Sequence, residues 1–315
     1  MDYAFKDKLR GYTMPPPNIT VEQVAQIIPG ISGIEVLDQG GYKIVFSGNI
    51  GGIKYAIKFL RPSPSETGEA DSEYLDEVTA RARREVETIE QCNTPHLVKM
   101  GPYGLMATDI TGEPLIYYTE EFIEGSNLKQ YHRDHGNFSV RELVNLALHI
   151  SAAIEALWAF AKIHRDIKPG NIMRRSLNGE YVLLDMGLVL DLQDESLSSA
   201  PMGTPLYVSP EQMDFNNRRT VMNFRSDLFS LGIVLYEMAT GRHPFVTADA
   251  TTTWQVIGNI INLDPVPPIN IRGDLPQTLS DVIMRLLAKR PALRYRSIAL
   301  FQRALQGVRV EGDKL

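Results

Sequence analysis

Cysteine is almost missing from this sequence. Cys92 is the only one, so an intrachain disulfide cannot form and no cysteine-based zinc site is available. There is no apolar run long enough to cross a bilayer. The opening residues Met1-Asp2-Tyr3-Ala4-Phe5-Lys6 lack the apolar core of a secretion signal. Surplus positive charge is missing too. A net charge of −6 and a pI of about 5.6 give no whole-chain argument for nucleic acid or an anionic membrane as partner. The six histidines show no metal-ligand spacing, no internal repeat is visible, and the only low-complexity tract is Pro15-Pro16-Pro17. A cytoplasmic, reducing environment is the expectation. What is present is ordinary for a globular protein: 43% apolar and 22% charged residues. A length of 315 residues allows one large domain or two modest ones.

The chemistry is densest at His164-Arg165-Asp166-Ile167-Lys168-Pro169-Gly170-Asn171. An acid, two bases and an amide lie between a helical pattern and a strand. Read blandly, this is a charged turn. Its pattern, His-Arg-Asp-x-x-x-x-Asn, resembles the catalytic loop of the protein kinases, and the Lys-Pro-x-Asn ending resembles the Ser/Thr type. The resemblance implies that Asp166 orients a substrate hydroxyl and accepts its proton. Lys168 would steady the charge on a phosphoryl group in flight, and Asn171 would offer an amide oxygen to Mg²⁺.

Upstream, Thr20 and Gln23 read as a capping box, with Ile19 and Val24 as a hydrophobic staple. A short helix over 21–28 follows. Residues 1–30 are either a regulatory extension or a flap packed on a lobe. In Leu37-Asp38-Gln39-Gly40-Gly41-Tyr42-Lys43-Ile44-Val45-Phe46 the pattern is similar to the glycine-rich phosphate loop. Only the middle glycine, Gly40, is kept, with Gly41 beside it; Asp38 and Lys43 replace the other two. The alternative is an ordinary hairpin turn. Tyr55-Ala56-Ile57-Lys58 is similar to the family's Val-Ala-Ile-Lys strand. Strand alternation puts Ala56 and Lys58 on one face, and the resemblance gives Lys58 to the nucleotide phosphates. With Gly40, Gly41, Val45 and Ala56, it makes up the expected nucleotide-binding set.

A polar loop from Arg61 to about Ser72 precedes a helical stripe of Leu75, Val78, Ala82, Val86 and Ile89 over 74–92. The resemblance pairs Glu85 on this helix with Lys58, although Glu85 sits in a charged run of the kind that is usually solvated. Strands over 97–122 close on Tyr117-Tyr118-Thr119-Glu120-Glu121-Phe122-Ile123, which resembles the hinge. Backbone groups of Glu121 and Ile123 would meet adenine. Either Thr119 or Glu120 guards the back pocket.

Ser139 and Glu142 form a second capping box, opening a helix to about Ala161. Tyr181–Leu188 reads as a buried strand ending in Asp-Met-Gly, a variant of Asp-Phe-Gly, with Asp185 the implied Mg²⁺ ligand. Gly203-Thr204-Pro205-Leu206-Tyr207-Val208-Ser209-Pro210-Glu211 is similar to the end of an activation segment. It implies that Thr204 supports the substrate-facing loop and that Glu211 pairs with Arg294. In the apolar helix from Asp227, that aspartate would hydrogen-bond the catalytic-loop backbone. Arg165 would meet a phosphate on Ser196, Ser198 or Ser199; alternatively, Asp194 or Glu195 already fills that role.

The resemblance covers roughly 31–305. It implies an α+β, two-lobed protein kinase-like fold. An N-terminal extension (1–30) precedes a small β-rich N-lobe with one key helix (31–122), a larger mainly helical C-lobe (123–305) and a tail (306–315). The function it implies is ATP- and Mg²⁺-dependent phosphorylation of Ser/Thr hydroxyls on protein substrates, resembling bacterial kinases of the eukaryotic type. Self-association for phosphorylation in trans is the further partnership open to such a chain. A pseudokinase scaffold and a small-molecule kinase are the alternatives. Lys168 and the Gly203–Glu211 segment argue against the latter.

Overall fold

Thr20 and Gln23 exchange hydrogen bonds, Gln23 N to Thr20 Oγ1 at 3.3 Å and Thr20 N to Gln23 Oε1 at 2.9 Å, and so start helix α1 (Val21–Ile27). The structure is a computed structural model describing residues 16–40, 43–61, 72–191, 205–213, 222–250 and 252–308. The expectations for Gly41, Ser196, Ser198, Ser199 and Thr204 fall outside these residues, as does the side chain of Leu75. Two compact units divide the chain: Met1–Glu90 with Lys99–Phe122, and Gln91–Val98 with Ile123–Leu315.

In the first unit, strands β1 (Ser32–Gly40), β2 (Lys43–Ile50) and β3 (Ile53–Leu60) form a meander, followed by helix α2 (Ser72–Gln91) and strands β4 (Met106–Thr108) and β5 (Leu115–Glu121). The antiparallel sheet has the order β1-β2-β3-β5-β4. Alternation sorts its two faces. One carries Ile44, Phe46, Ile57, Phe59, Leu115 and Tyr117, and the staple residues Ile19 and Val24 of the α1 region pack there with Ile28. The other face carries Leu60, Ile116 and Tyr118 and packs Val78, Ala82 and Val86 of α2. Residues 16–30 are therefore part of this unit's core, the flap reading of the N-terminal region. Lys58 lies on the α2 face.

The second unit begins with the segment 91–98, which differs from the expectation of one lobe over 31–122. Leu183 N donates to His96 O at 2.8 Å and Val98 N to Leu183 O at 3.1 Å, and these bonds attach the segment here. Then come β6 (Gly125–Asn127), α3 (Leu128–His135), α4 (Val140–Trp158), β7 (Lys162–Ile163), β8 (Ile172–Arg175), β9 (Tyr181–Leu183) and β10 (Leu190–Asp191). Helices α5 (Phe224–Thr240), α6 (Thr253–Asn262), α7 (Pro268–Ile271), α8 (Gln277–Leu286) and α9 (Ile298–Gln306) complete it. The strands form a sheet β6-β8-β9 and a pair β10-β7.

Helix α5 is buried along its whole length except at Arg225 and Glu237, as an all-round apolar helix must be. Gly232 makes that possible: a Cβ there would lie 2.8 Å from Leu286 Cβ on α8. Two expectations change. The strand at 181–188 is only Tyr181–Leu183, because the chain turns at Asp185 in a left-handed conformation (φ 64°). The tail expected from 306 begins later, since Gln306 ends α9 and Val308 is buried.

Candidate active site

In the first unit the site is built around Lys58. Its Nζ donates to Glu85 Oε1 and to Glu120 Oε1, each at 2.8 Å. All three side chains are buried, and Glu120 is only 3% exposed. Register explains the convergence. Ala56 pairs with Glu120, Ile57 with Thr119 and Lys58 with Tyr118, so Glu120 projects on the side of Ala56 and Lys58. Thr119 projects the other way, its hydroxyl donating to Tyr103 O and accepting from Tyr103 N. Of the two residues left open by sequence, Glu120 is the one beside Lys58. Val45 lies opposite Lys58 on β2, Gly40 ends β1 against Lys43, and Glu121 N is held by Lys99 O at 2.8 Å. Ile123 is buried in the second unit.

In the second unit the loop 164–171 follows β7. Lys168 Nζ donates to Asp166 Oδ2 at 2.7 Å, and Asn171 Nδ2 donates both to Asp166 Oδ2 and to Asp166 O at 2.9 Å. One cation and one amide thus orient the carboxylate. His164 is spent on structure: its Nδ1 accepts from Asp166 N at 3.2 Å and its Nε2 faces Leu184 O at 3.1 Å.

Arg165 (φ 67°) and Asp185 (φ 64°) are left-handed without being glycine, a conformation costing on the order of 1 kcal/mol or more and concentrated at functional sites. The strain is countered at Asp227, in the first turn of α5. Its two oxygens accept from the amides of His164 at 2.8 Å and Arg165 at 2.9 Å. Burial pushes the Asp227 carboxyl above its usual range, while His164 and the two amides pull it back. The Arg165 guanidinium donates to Leu188 O at 2.7 Å, just after the turn at Asp185. Met186 is buried in the place where the pattern has Phe.

A family model described as the protein kinase domain matches residues 33–305. The chain belongs to that family. Protein kinases as a family use ATP with a divalent cation and act on proteins. This kinase domain is 31% identical over 224 residues to a probable serine/threonine-protein kinase of Clostridium perfringens, covering 70% of this chain and 31% of that one. It is 32% identical over 248 residues to the serine/threonine-protein kinase PknB of Mycolicibacterium smegmatis (78% and 37% covered). To the probable PknB of Corynebacterium glutamicum it is 30% identical over 272 residues (83% and 39%). The chain spans roughly a third of the length of these curated relatives. No helix among the described residues is long and apolar enough to cross a membrane.

Further from the loop, this kinase domain locks Glu211 to Arg294 through two bonds, at 2.6 and 2.9 Å, and Ser226 Oγ donates to the same carboxylate at 2.7 Å. Sequence reading missed how Tyr207 is anchored. Its hydroxyl donates to Glu237 at 2.7 Å and its carbonyl accepts from Ser230 at 2.7 Å, holding the segment before Glu211 onto α5. The signal available was the pair of polar residues, Ser230 and Glu237, two turns apart in the largely apolar run from Leu228 to Ala239.

Proposed function

We propose that this chain is a Ser/Thr protein kinase that transfers the γ-phosphoryl group of Mg·ATP to hydroxyls of protein substrates. The observation that carries the reading is the Asp166 carboxylate, oriented by Lys168 and Asn171 in a strained loop held by Asp227. It is supported by these relatives, each named as a serine/threonine-protein kinase.

Asp166 accepts the proton of the attacking hydroxyl and aims its lone pair, and Lys168 next to it attracts the anionic group being transferred. The residues suit a divalent cation and a triphosphate. Asn171 gives its nitrogen to Asp166, which reserves its amide oxygen for a hard cation. Asp185 adds a carboxylate, and such an all-oxygen donor set suits Mg²⁺. When bound, Mg·ATP supplies the phosphoryl group and much of the neutralisation of its charge. Lys58, oriented by Glu85, takes the α- and β-phosphates. Ala56, Val45, Gly40, Gly41 and the backbone of Glu121 and Ile123 take the rest of the nucleotide. Phosphate on Ser196, Ser198 or Ser199 would recruit Arg165 from Leu188 O, and self-association would allow that phosphorylation in trans. The single, buried Cys92 supports a cytoplasmic setting.

The test is intact mass after incubation with Mg·ATP, with Asp166→Asn as control. Phosphate gained only by the wild type supports the reading. With a protein substrate, Asp166→Asn is expected to lower turnover by roughly 10²–10⁴ at unchanged Tm; near-wild-type turnover would refute the role of Asp166.

A further inference from the structure

One histidine outside the catalytic loop reaches the stretch that leads to Glu211. In the short turn Pro205–Tyr207, the carbonyl oxygen of Leu206 lies 2.9 Å from His243 Nε2. The other bond of the ring decides which nitrogen carries the hydrogen. His243 Nδ1 lies 3.2 Å from the amide of Phe245, and a backbone N–H can only donate. Nδ1 therefore accepts. Burial keeps the ring neutral, so Nε2 carries the hydrogen and donates it to Leu206 O.

The ring is held from behind. Phe245 is fully buried and stacks on Phe229 of α5 with ring planes 5° apart. Lys289 Nζ lies 3.9 Å from the centre of its ring, and its carbonyl accepts from Asn259 Nδ2 of α6 at 2.9 Å. His243 meets Phe245 and Tyr207 edge-on, at 6.1 and 5.4 Å between ring centres. A ring fixed on that support offers one directed donor to the turn. With Ser230 bound to Tyr207 O, two consecutive carbonyls of the turn are held by side chains from elsewhere in the fold. The peptide plane between Leu206 and Tyr207 then has one orientation. Any apolar side chain of similar size would satisfy the packing; the Nε2–H adds direction.

We infer that His243 is a positioning residue for the protein substrate. By way of Leu206 O it fixes the segment before Glu211 in the conformation that receives the polypeptide carrying the hydroxyl. The inference rests on the kinase reading, in which this segment faces the substrate. Loss of the donor is therefore expected to weaken use of the protein substrate and to leave use of ATP as it was. A purely structural residue would disturb both.

The experiment compares the full chain as wild type, His243→Leu and His243→Gln, with Tm measured for each so that only folded protein is compared. Leu keeps apolar bulk without a donor, and Gln restores an N–H of similar reach. Steady-state transfer from Mg·ATP is measured with myelin basic protein as acceptor, each substrate being varied in turn. Hydrogen exchange is followed by mass spectrometry over residues 205–213. For the Leu variant, KM for the acceptor is expected to rise roughly fivefold to tenfold, the factor that one hydrogen bond supplies. KM for ATP stays unchanged, kcat changes less, and exchange over 205–213 quickens; Gln recovers most of the loss. A wild-type KM for the acceptor in the folded Leu variant overturns the inference. So does an equal rise in both KM values, or an equal loss in the Leu and Gln variants. Unchanged exchange over 205–213 with transfer intact overturns the inference alone. A wild type that transfers no phosphate overturns the kinase reading and the substrate role with it, and faster exchange in the Leu variant would then leave only the anchoring of the turn.

Discussion

Arg294 and Lys58 are both buried cations facing carboxylates, but their surroundings differ. All five N–H groups of Arg294 are used: two on Glu211 and one each on the carbonyls of Ala288, Arg225 and Lys289. Phe229 closes one face of the guanidinium at 4.7 Å. Charge is balanced there, and the planar fork suits only one arrangement. Lys58 is a point charge shared between two acids, and a flexible stem lets it choose between them. The first cluster is built to stay as it is. The second holds one flexible ammonium between two carboxylates.

The contrast is open to mutation. The largest effect expected is Glu211→Gln. It leaves a fully buried guanidinium without its counter-charge, and breaking such a pair costs about 3–5 kcal/mol, read as a lower denaturant midpoint. Glu120→Gln removes the same charge from the other cluster and is expected to cost less than about 1 kcal/mol, since Glu85 remains on Lys58. Equal losses in the two variants would erase the distinction. Next in size is Gly232→Ala. The new methyl meets Leu286 at the end of α8, next to the Ala288 and Lys289 carbonyls that bind Arg294, and overpacking of this kind costs roughly 1–3 kcal/mol. If that strain loosens the Arg294 cluster, the losses from Gly232→Ala and Glu211→Gln will fall short of adding in a double-mutant cycle.

A gentler lever separates the two units. All six histidines, at 96, 132, 135, 149, 164 and 243, belong to the second one. His243 Nδ1 accepts from Phe245 N at 3.2 Å and His149 Nδ1 from Tyr181 N at 3.2 Å, so each ring must keep that nitrogen unprotonated. Burial, with His96 beside His149, lowers both to about 4 from an ordinary 6.5. The unfolded chain therefore binds more protons between pH 6.5 and 4, and stability falls as pH drops through that window. Thermal unfolding from pH 7 to 4.5 checks it; a flat Tm would contradict it, and His243→Gln should reduce the slope. Thr20→Ala removes one arm of the α1 capping box and is expected to cost about 1 kcal/mol, well below the loss at Glu211.

Much of the site was legible because kinase motifs name residues at fixed offsets. Lys58, Glu85, Asp166, Asn171, Asp185, Asp227, Glu211 and Arg294 could all be listed from order and spacing, and the contacts of Lys58 with Glu85, Asp227 with the loop, and Glu211 with Arg294 are present. Glu120 was not legible in the same way. Its alternation within β5 was plain, but its direction depends on which residue of β3 lies opposite, and pairing between distant strands is not written locally. The anchoring of Tyr207 by Ser230 and Glu237 likewise joins residues more than 20 positions apart with no periodic signal between them. The segment 91–98 carries no strand pattern, and tertiary contacts such as its bonds to Leu183 and the stacking of His96 on His149 reveal where it belongs. For the first helix the reverse holds: its cap and staple could be read, but not the surface they cover.

That surface has a consequence for how the chain is made. A helix of seven residues does not hold its shape alone in water, and Ile19, Val24 and Ile28 find cover only against a face that includes Leu115 and Tyr117. During synthesis these three apolar side chains precede every strand that covers them: Ile44 and Phe46 of β2 and Ile57 and Phe59 of β3 come next, and Leu115 and Tyr117 of β5 complete the face. The start of this unit therefore cannot settle before the strands that follow it, and a nascent chain stalled before β2 would present those three side chains uncovered to whatever chaperone or protease is nearby.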